Sequence, residues 1–183
     1  MATRTAADAV RAGTPTRQEP SSISAGASPV ERAVILAMAL LSLGVHLAVN
    51  ALGRYGYFRD ELYYIACSRR LAAGYVDQPP LSIFVLAAAR LLLGESVFAI
   101  RLVPALASSL SIVVLCLLVR RMGGRGAAMF LASLCFLASP QLSGAHTYYS
   151  MNGLDVLFWL VAAHALLGVS ERPSLRTWLT LGV

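Results

Sequence analysis

Lysine is absent from this chain of 183 residues, and all 15 of its basic residues are arginine. Charged residues of either sign are also scarce, at 13% against 57% hydrophobic, with a mean hydropathy of +0.68. That balance excludes a soluble globular domain and indicates an integral membrane protein. The net charge of +6 is spread along the chain and forms no basic stripe interleaved with aromatics, which excludes a nucleic-acid partner. Only three cysteines occur, Cys67, Cys116 and Cys135, without metal-ligand spacing, and the last two lie in apolar runs. They read as small core hydrophobes with no disulfide. No internal repeat is present.

What the chain has in quantity is apolar length. Residues 1 to 31, rich in Ala, Thr, Ser, Pro and Gly and carrying Arg4, Arg11 and Arg17, show no apolar period and are expected to be a disordered tail. Ala33 to Leu52 is a 20-residue run with only His46 and Asn50 strongly polar. At 1.5 Å per residue it covers a hydrocarbon core of about 30 Å. It exceeds the apolar core of a cleaved signal peptide, about 7 to 15 residues, so it is expected to remain as the first crossing.

Further crossings are expected over 96–119, 126–142 and 154–169, with a fifth apolar segment beginning at Trp178. Arg101 is expected at headgroup depth and Pro104 at a kink. Leu81 to Leu93 is too short to span and is expected to lie along the membrane surface. The expected fold is therefore all-α, with multi-pass transmembrane helices and an outer loop over 53–95. An apolar segment under way at Val183 suggests the N-terminal piece of a longer protein.

Arginine bias sets the expected orientation. The tail and the loops at 120–125 and 170–176 hold Arg4, Arg11, Arg17, Arg32, Arg120, Arg121, Arg125, Arg172 and Arg176. This puts the N-terminus in the cytoplasm and residues 53–95 and 143–153 outside the plasma (inner) membrane. The outer segment also carries Arg54, Arg59, Arg69, Arg70, Arg90 and Arg101, for which an anionic ligand is one reason.

Chemistry concentrates between Arg54 and Leu81, where three carboxylates, four arginines and five tyrosines stand between apolar regions. Asp60 and Glu61 open a segment that can be helical from Glu61 to Ala73, stopped by Gly74. A carboxylate at a membrane surface can serve as general base toward an acceptor hydroxyl, and arginines can hold a lipid-linked phosphate. Asp60 is equally suited to cap that helix, although Tyr63 stands where a capping box needs Glu or Gln. Asp77, Gln78, Pro79 and Pro80 form a rigid extended turn. Asp155 opens the fourth helix, where a carboxylate also favours the helix dipole. Topology brings Asp60, Asp155 and His146 to one side, so Asp155 and His146 are weak candidates for a divalent metal. His46, Asn50 and His164 are expected to make hydrogen bonds between helices.

The run R-D-E-L-Y-Y-I-A-C-S-R-R-L-A-A-G-Y-V-D-Q-P-P-L, followed by F-A-I-R-L-V-P-A-L and N-G-L-D-V-L-F-W, resembles the N-terminal part of the polyprenyl-phosphate-sugar-dependent GT-C glycosyltransferases. These include the protein O-mannosyltransferases and the lipid A aminoarabinose transferases. The resemblance runs from about Ala33 onward. It implies that Asp60 is the catalytic base, Glu61 its partner, and Asp155 a second acidic group near the donor or a metal. The further substrate-binding candidates are Arg59, Tyr63, Tyr64, Asp77 and Gln78. The implied reaction is a single inverting displacement from a polyprenyl-phosphate-linked sugar to a hydroxyl on a protein, lipid or glycan acceptor.

Gln78 stands where the aminoarabinose transferases usually have lysine, which leaves a hexosyl or pentosyl transferase more open. The family chain is far longer, so this piece alone is expected to be inactive. The alternatives are a transport protein, whose carboxylates would sit near the membrane midplane, and a non-catalytic membrane interaction partner.

Overall fold

In the computed structural model, which describes residues 26–53 and 55–182, helices are the only regular structure among the described residues. The proposed tail is described only from Gly26, and residues 1–25 lie outside the described residues. The helices are α1 (Pro29–Leu52), α2 (Arg59–Ser68), α3 (Pro80–Leu93), α4 (Val97–Arg121), α5 (Gly126–Ala138), α6 (Pro140–Ala145), α7 (Met151–Glu171) and α8 (Leu175–Gly182). Three of them, α1, α4 and α7, are long and apolar enough to cross a membrane.

The first helix begins four residues earlier than the apolar run suggests, because Ser28 and Glu31 form a capping box ahead of the hydrophobic stretch. The Ser28 hydroxyl accepts from Glu31 N–H at 3.2 Å, and the Glu31 carboxylate accepts from Ser28 N–H at 2.9 Å. Pro29 occupies the first turn, where its missing N–H costs nothing. A single unbroken helix over 126–142 is not formed. The helix stops at Ala138, and the chain restarts at Pro140, whose ring cannot continue the hydrogen-bond ladder. Thirteen residues of α5 reach about 20 Å, short of a full crossing. By contrast α4 runs unbroken through buried Pro104.

α4 is the central helix, packed on α1, α5 and α7. Small buried residues, Ala105, Ala107, Ser108 and Ser111, let it approach its neighbours closely. Ser42 and Ser108 share a hydrogen bond of 2.8 Å, Ser109 donates to the Ala39 carbonyl at 3.0 Å, and Asn50 donates to the Phe98 carbonyl at 3.0 Å. Between α1, α4 and α5 lies a core of Met38, Ala39, Ile112, Cys116, Met129 and Phe136. A second core joins α2, α3, the start of α4 and the segment before α7 through Tyr64, Ile83, Leu86, Ile100 and Tyr149. This second core seats two non-spanning helices against one end of the bundle, and all the candidate site residues belong to that end.

Charges mark both ends. Glu31, Arg120, Arg125, Arg121 and Glu171 meet at one, with Arg121 Nη2 2.9 Å from Glu171. Asp60, Glu61, Arg90, Glu95 and Arg101 lie at the other. Residues 55–96 and 146–150 therefore share one end and residues 31, 120–125 and 171 the opposite one, as alternating crossings require.

Candidate active site

Asp60 and Glu61 are adjacent in sequence and opposite in environment. The helix that carries them starts at Arg59 with Phe58 at the cap, so Asp60 sits in the first turn and is not the N-cap. Glu61 takes the third helical position and accepts the Phe58 N–H at 2.8 Å, which satisfies one of the free amides at the helix start. Successive helical positions are rotated by about 100°, so if one side chain faces the bundle its neighbour turns away from it. Glu61 is fully buried, and the Asp60 side chain is 43% exposed with Arg59 Nε 3.3 Å away.

The Glu61 carboxylate is saturated. Arg101 Nε donates to Oε1 at 2.9 Å and Arg101 Nη2 to Oε2 at 2.7 Å, while Tyr149 N–H donates to Oε1 at 2.9 Å. With the Phe58 amide this makes four donors from α2's own start, α4 and the segment before α7. Arg101 is 7% exposed and also donates to the Gly56 carbonyl at 2.9 Å. It does not reach for headgroups as the sequence suggested, because a buried bidentate carboxylate is a better partner for a planar guanidinium than hydrated lipid. The sequence offers Arg101 an anionic ligand as its reason for being there, and the anion it meets is the Glu61 carboxylate of the same chain; the sequence does not single out Tyr149. The available signal was an ionisable residue inside an apolar helix, which ordinarily has a named partner.

The tyrosines divide in the same way. Tyr64 is buried, accepts the Met151 N–H at 3.0 Å on its hydroxyl, and meets Tyr149 edge-on at 5.5 Å. Burial pushes both hydroxyls above their ordinary pKa, so they remain neutral hydrogen-bonding groups. The Tyr149 hydroxyl donates to the Ser82 carbonyl. Tyr63 is exposed and donates to Asp77 Oδ1 at 2.7 Å, a bond that pushes the phenol up to about 12. Asp77 is thereby tied to α2 across the Pro-Pro turn. Gln78 is buried, with its amide 3.9 Å from Cys67 Sγ.

Two clefts open at this end. One, of about 220 Å³, is walled by Tyr55, Tyr57, Phe58 and Tyr148 with Asn50 and Arg101. The other, of about 300 Å³, is lined by Pro79, Leu81, Ser82, Asn152, Asp155 and Phe158. Asp155 is exposed in the second turn of α7, since that helix starts at Met151 and not at Leu154. The favourable dipole position expected for it is therefore lost. His146 is buried, with Nδ1 2.7 Å from the Leu142 carbonyl. Among the described residues no group of three His, Cys, Asp or Glu side chains is placed to hold a metal ion.

Residues 77–183 match the family model of the dolichyl-phosphate-mannose-protein mannosyltransferases. No curated protein and no solved structure matches the chain.

Proposed function

This chain belongs to the dolichyl-phosphate-mannose-protein mannosyltransferase family, membrane glycosyltransferases of the GT-C type, and on that premise we propose that Asp60 is the base of a sugar transfer from a polyprenyl-phosphate donor to a hydroxyl acceptor. The observation that carries this reading is the division of labour in the carboxylate pair. Glu61 has no lone pair to spare, whereas Asp60 is open to solvent on a helix that Glu61 holds in place. Glu61 and Arg101 are positioning residues in this account.

The transfer is a single displacement. Asp60 takes the proton from the acceptor hydroxyl as its oxygen attacks the anomeric carbon. The bond from that carbon to the phosphate oxygen breaks, and the electron pair leaves on the polyprenyl phosphate. Attack from the face opposite the leaving group inverts the anomeric centre. The cleft bearing Asp155 has apolar walls suited to the lipid-proximal part of the donor, and Arg59, Arg69 and Arg70 are exposed cations at the same end for its phosphate. Tyr63, Tyr64, Asp77 and Gln78 act by fixing α2 to the Pro-Pro turn and to α7. A divalent metal has Asp155 as its one exposed candidate ligand in the second cleft.

The membrane is the plasma (inner) membrane in this reading, with the N-terminus cytoplasmic and Asp60 outside. A transport protein is disfavoured because the carboxylates lie at helix ends and not in the middle of the bundle. The test is Asp60→Asn in the full native polypeptide. Loss of general-base assistance predicts a fall in transfer of about 10²- to 10⁴-fold, with folded yield unchanged. Retained transfer would remove Asp60 from the chemistry.

A further inference from the structure

Beneath the Asp60 end of the bundle, two histidines face each other with nothing to neutralise a charge. His46 on α1 is 5% exposed and His146, which follows α6, is 1% exposed, with ring centroids 5.9 Å apart. Phe136 of α5 packs on the His146 ring at a centroid distance of 5.9 Å. The Leu142 carbonyl at 2.7 Å takes the Nδ1 proton of His146, leaving its Nε2 as an acceptor. Nε2 of each ring is buried without a hydrogen-bond partner among the described residues.

The surrounding elements do not supply a counter-charge. α6 carries no titratable group, and α5 only the exposed Cys135. On α4, Arg101 is committed to Glu61, while Cys116, Arg120 and Arg121 lie toward the other end. On α7, Asp155 is exposed, and His164 and Glu171 lie toward the other end. The remaining charged groups of α1, Glu31 and Arg32, are at the far end, Glu31 with Arg120 and Arg125. Among the described residues no carboxylate lies within 4.0 Å of either imidazole.

His146 also opens the short segment that holds the site. Three residues on, the Tyr149 amide binds Glu61, and the Met151 amide binds Tyr64. α7 begins in contact with the same ring: a Cβ at Gly153 would lie 3.4 Å from His146 Cδ2 and 2.9 Å from the Ala145 carbonyl. The seat of this segment is therefore the neutral imidazole.

We propose that His46 and His146 form an acid-released latch: while both rings are neutral, segment 146–150 stays seated and clamps Glu61, and a proton on either ring drives the segment off. A charged imidazole buried without a carboxylate to balance it is costly, and a second charge beside it adds repulsion. Burial lowers the His146 pKa from 6.5, against the opposing pull of the Leu142 and Gly153 carbonyls. The released segment exposes His146 and binds a proton at the ordinary value, so the seated form loses ground as pH falls below about 6.5. At pH 5.5, one unit below that value, the released population is larger than at pH 7.5 by at most about tenfold, the factor for a proton bound by the released form alone.

Hydrogen exchange of amides 147–151, measured on the full polypeptide in lipid nanodiscs at pH 7.5 and 5.5 and corrected for intrinsic exchange, tests this. The expected result is an acceleration at pH 5.5, of at most about tenfold. His146→Gln keeps a donor for the Leu142 carbonyl, and both it and His46→Gln should give a smaller acceleration than the wild type, since each leaves a single ring to take a proton. Exchange that does not accelerate in the wild type overturns the proposal, as does an acceleration in both variants equal to that of the wild type. If His146→Gln does not fold, the wild-type and His46→Gln measurements still decide. The readout is independent of glycosyl transfer, so it fails or succeeds separately from the reading of Asp60.

Discussion

An arginine five residues into an apolar helix must either extend to the headgroups or find a carboxylate inside the protein. Arg101 takes the second course, and the consequence is measurable. Arg101→Met should destabilise the fold by about 3–5 kcal/mol, because it strands Glu61 as a buried, unpaired charge. Adding Glu61→Gln to that variant should recover a large part of the loss. A double variant as unstable as the single one would show that the two side chains are not coupled. Asp60 was legible as a chemical candidate in the sequence, but its contrast with Glu61 was not. That contrast depends on which face of α2 meets Arg101 and Tyr149, residues 40 and 88 positions away from Glu61.

Element boundaries followed local signals where those were strong. The S-P-V-E sequence at 28–31 is a complete capping signal, and α1 starts there and not at the first uninterrupted apolar residue. Hydropathy alone ran α5 through to Leu142, whereas the Ser139–Pro140 step ends it, since a mid-helix proline removes a donor and clashes with the preceding turn. Tertiary contacts then decide what propensity cannot. Gly153 lies where the chain enters α7 against the Ala145 carbonyl. Gly153→Ala should cost about 1–3 kcal/mol through crowding, read as a lower melting temperature in detergent. An unchanged melting temperature would mean that α7 can shift without cost. Leu86 on α3 is fully buried in the core beneath α2. Leu86→Ala should cost about 2–5 kcal/mol by leaving a cavity, and limited proteolysis should then cut α2 and α3 before the long helices.

For the whole molecule, the long helices were readable from apolar length, and the ends of the bundle from arginine placement. That placement already set residues 53–95 and 143–153 on one side; the contact between them, the Tyr149 amide on Glu61, needed the fold. In a background lacking the native cysteines, Val76→Cys and Arg125→Cys report on opposite ends, and both parent side chains are highly exposed. An impermeant thiol reagent applied to intact cells should label position 76 and spare 125; the reverse pattern would invert the proposed orientation. The most direct test of the central claim joins that topology to the chemistry. Sugar transfer from a polyprenyl-phosphate donor to a hydroxyl acceptor should be measured with the full native polypeptide and with Asp60→Asn, at equal folded amounts. The account predicts transfer by the wild type with inversion at the anomeric carbon, and a loss of at least about 100-fold in Asp60→Asn. Equal rates in the two proteins, or retention of the anomeric configuration, would contradict it.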